Sequence, residues 1–276
     1  MLSRITFVVV VALAAVTLIA SGAAQADMIG YWNFNNNVAD YSGYGNNGTL
    51  NGSVSYVAGK FGQATSYDGT PGTNVSVADS ASLHADWPGF VVSLWINTGD
   101  TTTWNAAMGK FPEFTGEPMT DSRRGFGLYP TQYGWLLGTG VFSWPMVTAG
   151  ASSVTNSQWH NVALLWDGAS MTSYLDGTQV GGPKAATPFL NSSVTLWFGS
   201  ERGTSTFTGQ LDDAAIFDTT LTVGQIASIH NVGTSELGYS MGDMSKLFDV
   251  YSAAVGATTT TSDGKTWKHV DGGLPG

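Results

Sequence analysis

Phe207-Thr208-Gly209-Gln210-Leu211-Asp212-Asp213-Ala214-Ala215-Ile216-Phe217 reads as one long strand with two carboxylates in its middle. Successive side chains on a strand point to opposite faces. That alternation predicts Leu211, Asp213, Ala215 and Phe217 on one face, with Asp212, Ala214 and Ile216 on the other. Whichever face is buried, one carboxylate then enters the packed layer. A buried, unpaired carboxylate is costly and calls for hydrogen-bond donors, a cation or a metal ion. No Lys or Arg lies within eight residues, Arg202 being the nearest in sequence. A hard cation such as calcium is the favoured reading, with backbone amide donors as the alternative.

Outward from this stretch, the chain reads as a succession of short strands. Phe90-Val91-Val92-Ser93-Leu94-Trp95-Ile96-Asn97 carries the strongest strand signal and is apolar on both faces, as in the middle of a sandwich. Ile29–Phe34 reads as the first strand, and Asn74–Val77 as a short alternating one. Weaker runs occupy 126–129 and 133–137, and Val194–Gly199 precedes the Asp-Asp stretch. Trp159–Trp166 ends at Asp167-Gly168, and Met171–Leu175 ends at Asp176-Gly177, with Thr178-Gln179-Val180 beyond. Asp-Gly between apolar runs predicts type I′ hairpins, whose two central residues need positive φ. Asn35–Asn51 is a Gly- and Asn-rich loop that reads either as a surface turn cluster or as a wrap around an ion. About 11 to 14 strands without a long helix predict an all-β, two-sheet antiparallel sandwich.

One short helix is marked by Thr222 as N-cap, Gln225 completing a capping box, and a Leu221–Ile226 staple; it should end near His230-Asn231. Residues 27–235 thus form one domain. Residues 236–276 differ in character, with helical spacing over Asp243–Tyr251 and then a Thr run, a turn and a strand. This segment reads as a small C-terminal appendage, part of a further module, or the trace of a truncated reading frame. It is too small to bury a core by itself.

Residues 1–26 read as a signal peptide. Arg4 supplies the positive start, Ile5–Ala20 the apolar run, and Ala24-Gln25-Ala26 the cleavage pattern, placing the cut after Ala26. The apolar run is about 16 residues, short of the ~20 of a membrane span. No second such run follows, so the mature chain is expected to be secreted, extracellular or at the cell surface, with no membrane span after cleavage. Without Arg4 it has 9 basic against 20 acidic side chains, a net charge of about −11. That balance argues against nucleic acid, which needs clustered Lys and Arg. Cysteine is absent, which excludes thiol chemistry and disulfides.

Several motifs together resemble the concanavalin A-like, laminin G-like jelly-roll domains of secreted bacterial proteins. They include Tyr31-Trp32-Asn33-Phe34, Asp40–Leu50, Gly59–Ala64, Tyr67-Asp68-Gly69, Val77–Leu83, Phe90–Ile96, Trp159–Ala163, Tyr174–Gly177 and Phe207–Phe217. The match spans roughly residues 28–232. The resemblance implies a jelly roll whose first and last strands lie side by side. It also implies a structural calcium, with Asp212 as a side-chain ligand and Asp40 and Asn46 contributing from the loop. Asn35 and Asn36 depart from the pattern, where acidic residues are frequent; carboxamides there would weaken the site. Ala214-Ala215 also replaces bulkier residues.

Catalysis is not expected. Retaining glycosidases need two carboxylates about 5–5.5 Å apart. The four Glu, at 113, 117, 201 and 236, form no Glu-x-Asp-x-x-Glu arrangement. His160 reads as a satisfied strand residue, and no nucleophile elbow, phosphate loop or zinc spacing occurs. Trp104, Tyr129, Tyr133 and Trp144 sit in Gly-, Thr- and Pro-rich surroundings and are the candidate sugar-stacking residues. Trp135 reads as core. The expected function is non-catalytic binding of a polysaccharide or glycan. A structural or adhesive surface protein contacting cell-surface proteins is the alternative, and a glycoside hydrolase of the same fold a weaker third.

Overall fold

A computed structural model describes residues 27–84, 87–102, 105–111, 124–130, 134–139, 146–148, 154–186, 193–203, 207–234, 258–260 and 266–268. In chain order the strands begin with β1 (Met28–Trp32), β2 (Gly48–Asn51), β3 (Ser55–Ala58), β4 (Gln63–Asp68), β5 (Asn74–Val77) and β6 (Phe90–Asn97). They continue with β7 (Met108–Lys110), β8 (Arg124–Tyr129), β9 (Gly134–Thr139), β10 (Met146–Thr148), β11 (Trp159–Trp166) and β12 (Ser170–Leu175). β13 (Thr178–Ala185), β14 (Leu196–Phe198) and β15 (Thr208–Phe217) precede helix α1 (Val223–Val232). Two short strands, β16 (Thr258–Thr260) and β17 (Thr266–Lys268), pair with each other.

The first fifteen strands make two antiparallel sheets. One runs β13-β12-β11-β6-β15-β4-β3, with β1 added beside β15; the other runs β10-β9-β8-β7-β14-β5-β2. The count exceeds the sequence expectation because three- and four-residue strands such as β2, β3 and β7 carry too few alternations to register as a pattern. β2 lies inside the stretch read as loop, where Thr49 and Leu50 pair with Ser76 and Val75.

Apolar side chains from both sheets fill the space between them. Trp32 and Phe34 meet Phe198 edge to face at 5.1 and 5.3 Å, and Phe90 packs against Phe126 and Trp166. β6 is buried along nearly its whole length because sheet partners flank it and both of its faces are covered. On the outer face of the first sheet, α1 sets Ile226 and Ile229 with Leu221 against Val91, Ala163, Ala215 and Phe217. The helix starts as its residues dictate: Thr222 accepts from the Gln225 amide, and the Gln225 side chain accepts from the Thr222 amide. Thr222→Ala should therefore lower the urea midpoint by the equivalent of about 1 kcal/mol. No helix among the described residues is long and apolar enough to cross a membrane.

Both Asp-Gly turns join the strands expected, by different means. Asp176 and Gly177 both have positive φ, 49° and 73°, as a type I′ turn requires. At the other turn, Asp167 instead accepts through Oδ1 from the Ala169 and Ser170 amides, and only Gly168 has positive φ.

Candidate functional site

The Asp-Asp stretch is a bulge, and this corrects the simple alternation expected for it. β15 pairs with β4 through Leu211↔Thr65 and with β1 from Ala214↔Trp32 onward. The change of partner falls on Asp212-Asp213. There the register against β6 shifts, and Asp213 takes a left-handed φ of 48°. Leu211, Ala214 and Ile216 face the inter-sheet core, while Ala215 and Phe217 face α1. The extra residue lets both carboxylates leave on the helix side. They take over donors where the ladder has none: Asp213 accepts from the Tyr31 hydroxyl at 2.6 Å and the Thr234 amide at 2.7 Å. Asp212 Oδ2 accepts from the Phe61 amide at 2.9 Å.

Asp212 is fully buried, and its Oδ1 has no hydrogen-bond partner. Burial pushes its carboxyl up to about 7; the Phe61 amide opposes this and the adjacent Asp213 charge adds to it. Asn161, Trp95 and Asp212 lie opposite one another across β11, β6 and β15. His230 stacks on Trp95 at 5.3 Å, Phe61 meets its edge, and the Lys60 ammonium lies 4.3 Å from its ring centroid. Lys60 makes no ion pair with Asp212 among the described residues.

Asp40 and Asn46 sit together, on another set of partners. Asp40 Oδ1 accepts from the Tyr31 and Ser42 amides, and Oδ2 from the Ser42 hydroxyl and the Asn46 amide, all at 2.8–2.9 Å. Asn46 donates to the Ile29 carbonyl and to Ser82, and its Oδ1 accepts from Ser80. Its own carbonyl accepts from the Trp32 indole. These oxygens are held by N–H and O–H donors, so Asp40 and Asn46 form a buckle over β1 and do not fit a calcium shell as arranged. Asp212 Oδ1 is the one open oxygen of the three. Among the described residues no cluster of three acidic, His or Cys side chains could hold a metal.

One row along the same outer face, Ser66, Gln210, Asn97 and Trp159 are successive cross-strand partners on β4, β15, β6 and β11. Ser66, Asn97 and Gln210, with Thr98, Asp100 and Thr208, line an open cleft of about 460 Å³. All four side chains of the row are half-buried. Those of Ser66, Asn97 and Gln210 make no hydrogen bond within the described residues. The rim is firm: Thr98 donates to the Thr208 carbonyl at 2.6 Å and accepts from the Asp100 amide. Burial raises the Asp100 carboxyl, but hydrogen bonds from Asn105 and Thr102 outweigh it and hold it below the usual carboxylate range. The cleft thus offers neutral donors and acceptors beside one fixed negative charge, which suits uncharged hydroxylated ligands. The sequence signal for it was weak, since polar residues alternating on the solvated face of a strand are ordinary.

Trp104, Tyr133 and Trp144 lie outside the described residues. Tyr129 is 4% exposed and packs with Ala106 and Phe111, its hydroxyl bonded to Glu201; its ring face is not offered to solvent. The aromatic rings that are exposed among the described residues are Tyr41 and Tyr44, in the 40–46 loop. His160 bonds Asp176 and Asn156, as a structural residue would.

Several solved structures share this arrangement of sheets. Domain 4 of AbnA, a GH43 extracellular arabinanase from Geobacillus stearothermophilus solved with arabinotriose, superposes with a TM-score of 0.61 at 20% identity, over 75% of this chain and 99% of that one. The binding domain of Paraclostridial Mosquitocidal Protein 1 gives 0.58 at 13% identity, over 75% of this chain and 52% of that one. The binding domain of botulinum neurotoxin serotype D gives 0.55 at 16%, over 74% and 50%. The chain thus spans about half the length of these toxin domains. At such identities the likeness is one of fold. A sequence search among curated proteins finds no match. Residues 68–227, more than half of the chain, match the family model Laminin_G_3, and the chain belongs to this family of the Concanavalin A-like lectin/glucanases superfamily.

Proposed function

We propose that the protein is a secreted, non-catalytic module that binds a neutral glycan in the cleft bounded by Ser66, Asn97, Gln210 and Asp100. The observation that carries this reading is the row of three neutral side chains, without hydrogen bonds among the described residues, running toward half-buried Trp159. Carboxamides and hydroxyls meet sugar hydroxyls in both donor and acceptor senses. An indole face adds apolar area at little entropic cost. The oligosaccharide in the arabinanase domain supports the ligand class, and the fixed charge of Asp100 disfavours sulfated or uronic chains. Among the described residues Asp100 is the one carboxylate that lines the cleft.

Glycan-array binding of the secreted protein tests this. Neutral oligosaccharides should give signal, and Gln210→Ala or Asn97→Ala should weaken binding roughly 3- to 10-fold per hydrogen bond lost. Unchanged binding in both variants would remove the cleft from the account. Array silence together with a protein partner recovered by pull-down would favour an adhesive role. Calcium enters this reading through Asp212 alone. A chelator-dependent fall in melting temperature would place an ion on its Oδ1, and an unchanged one would leave that oxygen to a proton or water.

A further inference from the structure

Where the start of β1 meets the end of β15, two acids lie side by side with no cation paired to them among the described residues. The Asp27 amide donates to Asp218 Oδ1 at 3.0 Å, and the Asp218 amide returns a bond to the Asp27 carbonyl at 3.1 Å. Asp27 Oδ2 accepts from the Tyr44 hydroxyl. Asp218, half-buried, has its carboxyl raised by burial and by the Asp27 charge, against the pull of the Asp27 amide. Neither acid forms an ion pair among the described residues. Two carboxylates placed this close want a positive charge.

The sequence supplies one at that atom. Asp27 follows Ala24-Gln25-Ala26, the pattern at which a signal peptidase would cut. Hydrolysis of the Ala26–Asp27 peptide bond consumes one water; it leaves a carboxylate on the released leader and an α-ammonium on Asp27. We propose that this cut creates an amino-terminal ammonium that pairs with Asp218, so that processing itself fastens the first strand to the end of the last. The nitrogen needs no new position, since it already points at the carboxylate; its single N–H becomes a charged group with three. The bond to the Asp218 carboxylate then gains an ionised donor as well as an ionised acceptor. The proposal rests on the export reading for the cut, and on geometry alone for the pairing.

The sign of its pH dependence follows. The groups facing the ammonium are Asp218 from the end of β15, Tyr44 from the loop and the carboxylate of Asp27 itself. Tyr44 is pushed up to about 12, chiefly by its hydrogen bond to Asp27, so it stays neutral through the range that matters. An α-amino group titrates near pH 8 when free, and adjacent carboxylates raise that value in the folded state. With Asp218 ionised, the stabilisation is present up to about pH 8 and is lost as pH rises through the raised value; in acid it is lost again when Asp218 takes up a proton.

The decisive comparison is between the chain starting at Asp27 and the same chain keeping Ala26, each with Asp218 or with Asp218→Asn. At pH 6.5 retention of Ala26 should lower the melting temperature by about 2 to 4 °C. Acetylation of the Asp27 amine should do the same without added length. Both losses should vanish in Asp218→Asn and shrink above pH 10. Equal melting temperatures for the two starts, or an undiminished loss in Asp218→Asn, would overturn the pairing. The intact mass of the exported protein separates the other half: a start elsewhere than Asp27 would overturn the cut, while the melting comparison still decides the pairing.

Discussion

Asp212→Asn should raise the melting temperature at pH 8 and leave it nearly unchanged at pH 4. The carboxyl is fully buried, bonded on one oxygen and bare on the other, and its value lies near 7 in the folded chain. A folded value above the unfolded one means that the native state binds the extra proton. Stability from this group is therefore greatest below about pH 4 and falls as pH rises toward 7, above which the ionised form is buried at full cost. The rise from 3.8 to about 7 corresponds to about 4 kcal/mol as an upper figure. Asn keeps an oxygen for the Phe61 amide and carries no charge, so the gain at pH 8 should approach that figure and disappear in acid. Thermal unfolding of both proteins across pH 4–9 measures it. A loss of stability at pH 8 would mean that a cation neutralises the carboxylate.

Asp40→Ala should cost about 3 kcal/mol, because it strands the amides of Tyr31, Ser42 and Asn46 and the Ser42 hydroxyl together. The loss should be the same with and without chelator, since every bond removed is to the protein's own N–H or O–H. Asp40→Asn should fall between, keeping one acceptor and setting an NH2 against the remaining donors. Urea unfolding with tryptophan fluorescence reads both. A loss confined to chelator-free solution would reassign Asp40 to ion binding.

These two acids mark how far the sequence could be read. Turn chemistry and capping are local, and they were legible: Asp176-Gly177 and the Thr222/Gln225 box do in space what their residue types require. Phe90–Ile96, apolar on both faces, stood out as the central strand because only a doubly covered strand tolerates that pattern. The side on which Asp212 and Asp213 emerge depends on a hand-over between β4 and β1, strands that are distant in sequence. No alternation within eleven residues encodes that. Asp40 was legible as a carboxylate that must be satisfied, but four backbone and hydroxyl donors satisfy acid as well as an ion would, and nothing local distinguishes them. The row Ser66–Gln210–Asn97–Trp159 joins four strands and exists only once they are in register.

The side-by-side placement of β1 and β15 also bears on timing. Asp27 and Asp218 are 191 residues apart, so closing that edge is a contact of very high sequence separation. At about 5–20 residues per second, Met28–Trp32 waits on the order of ten seconds or more for the partner against which it folds. During that interval the nascent chain cannot complete the sheet in which β1 lies beside β15.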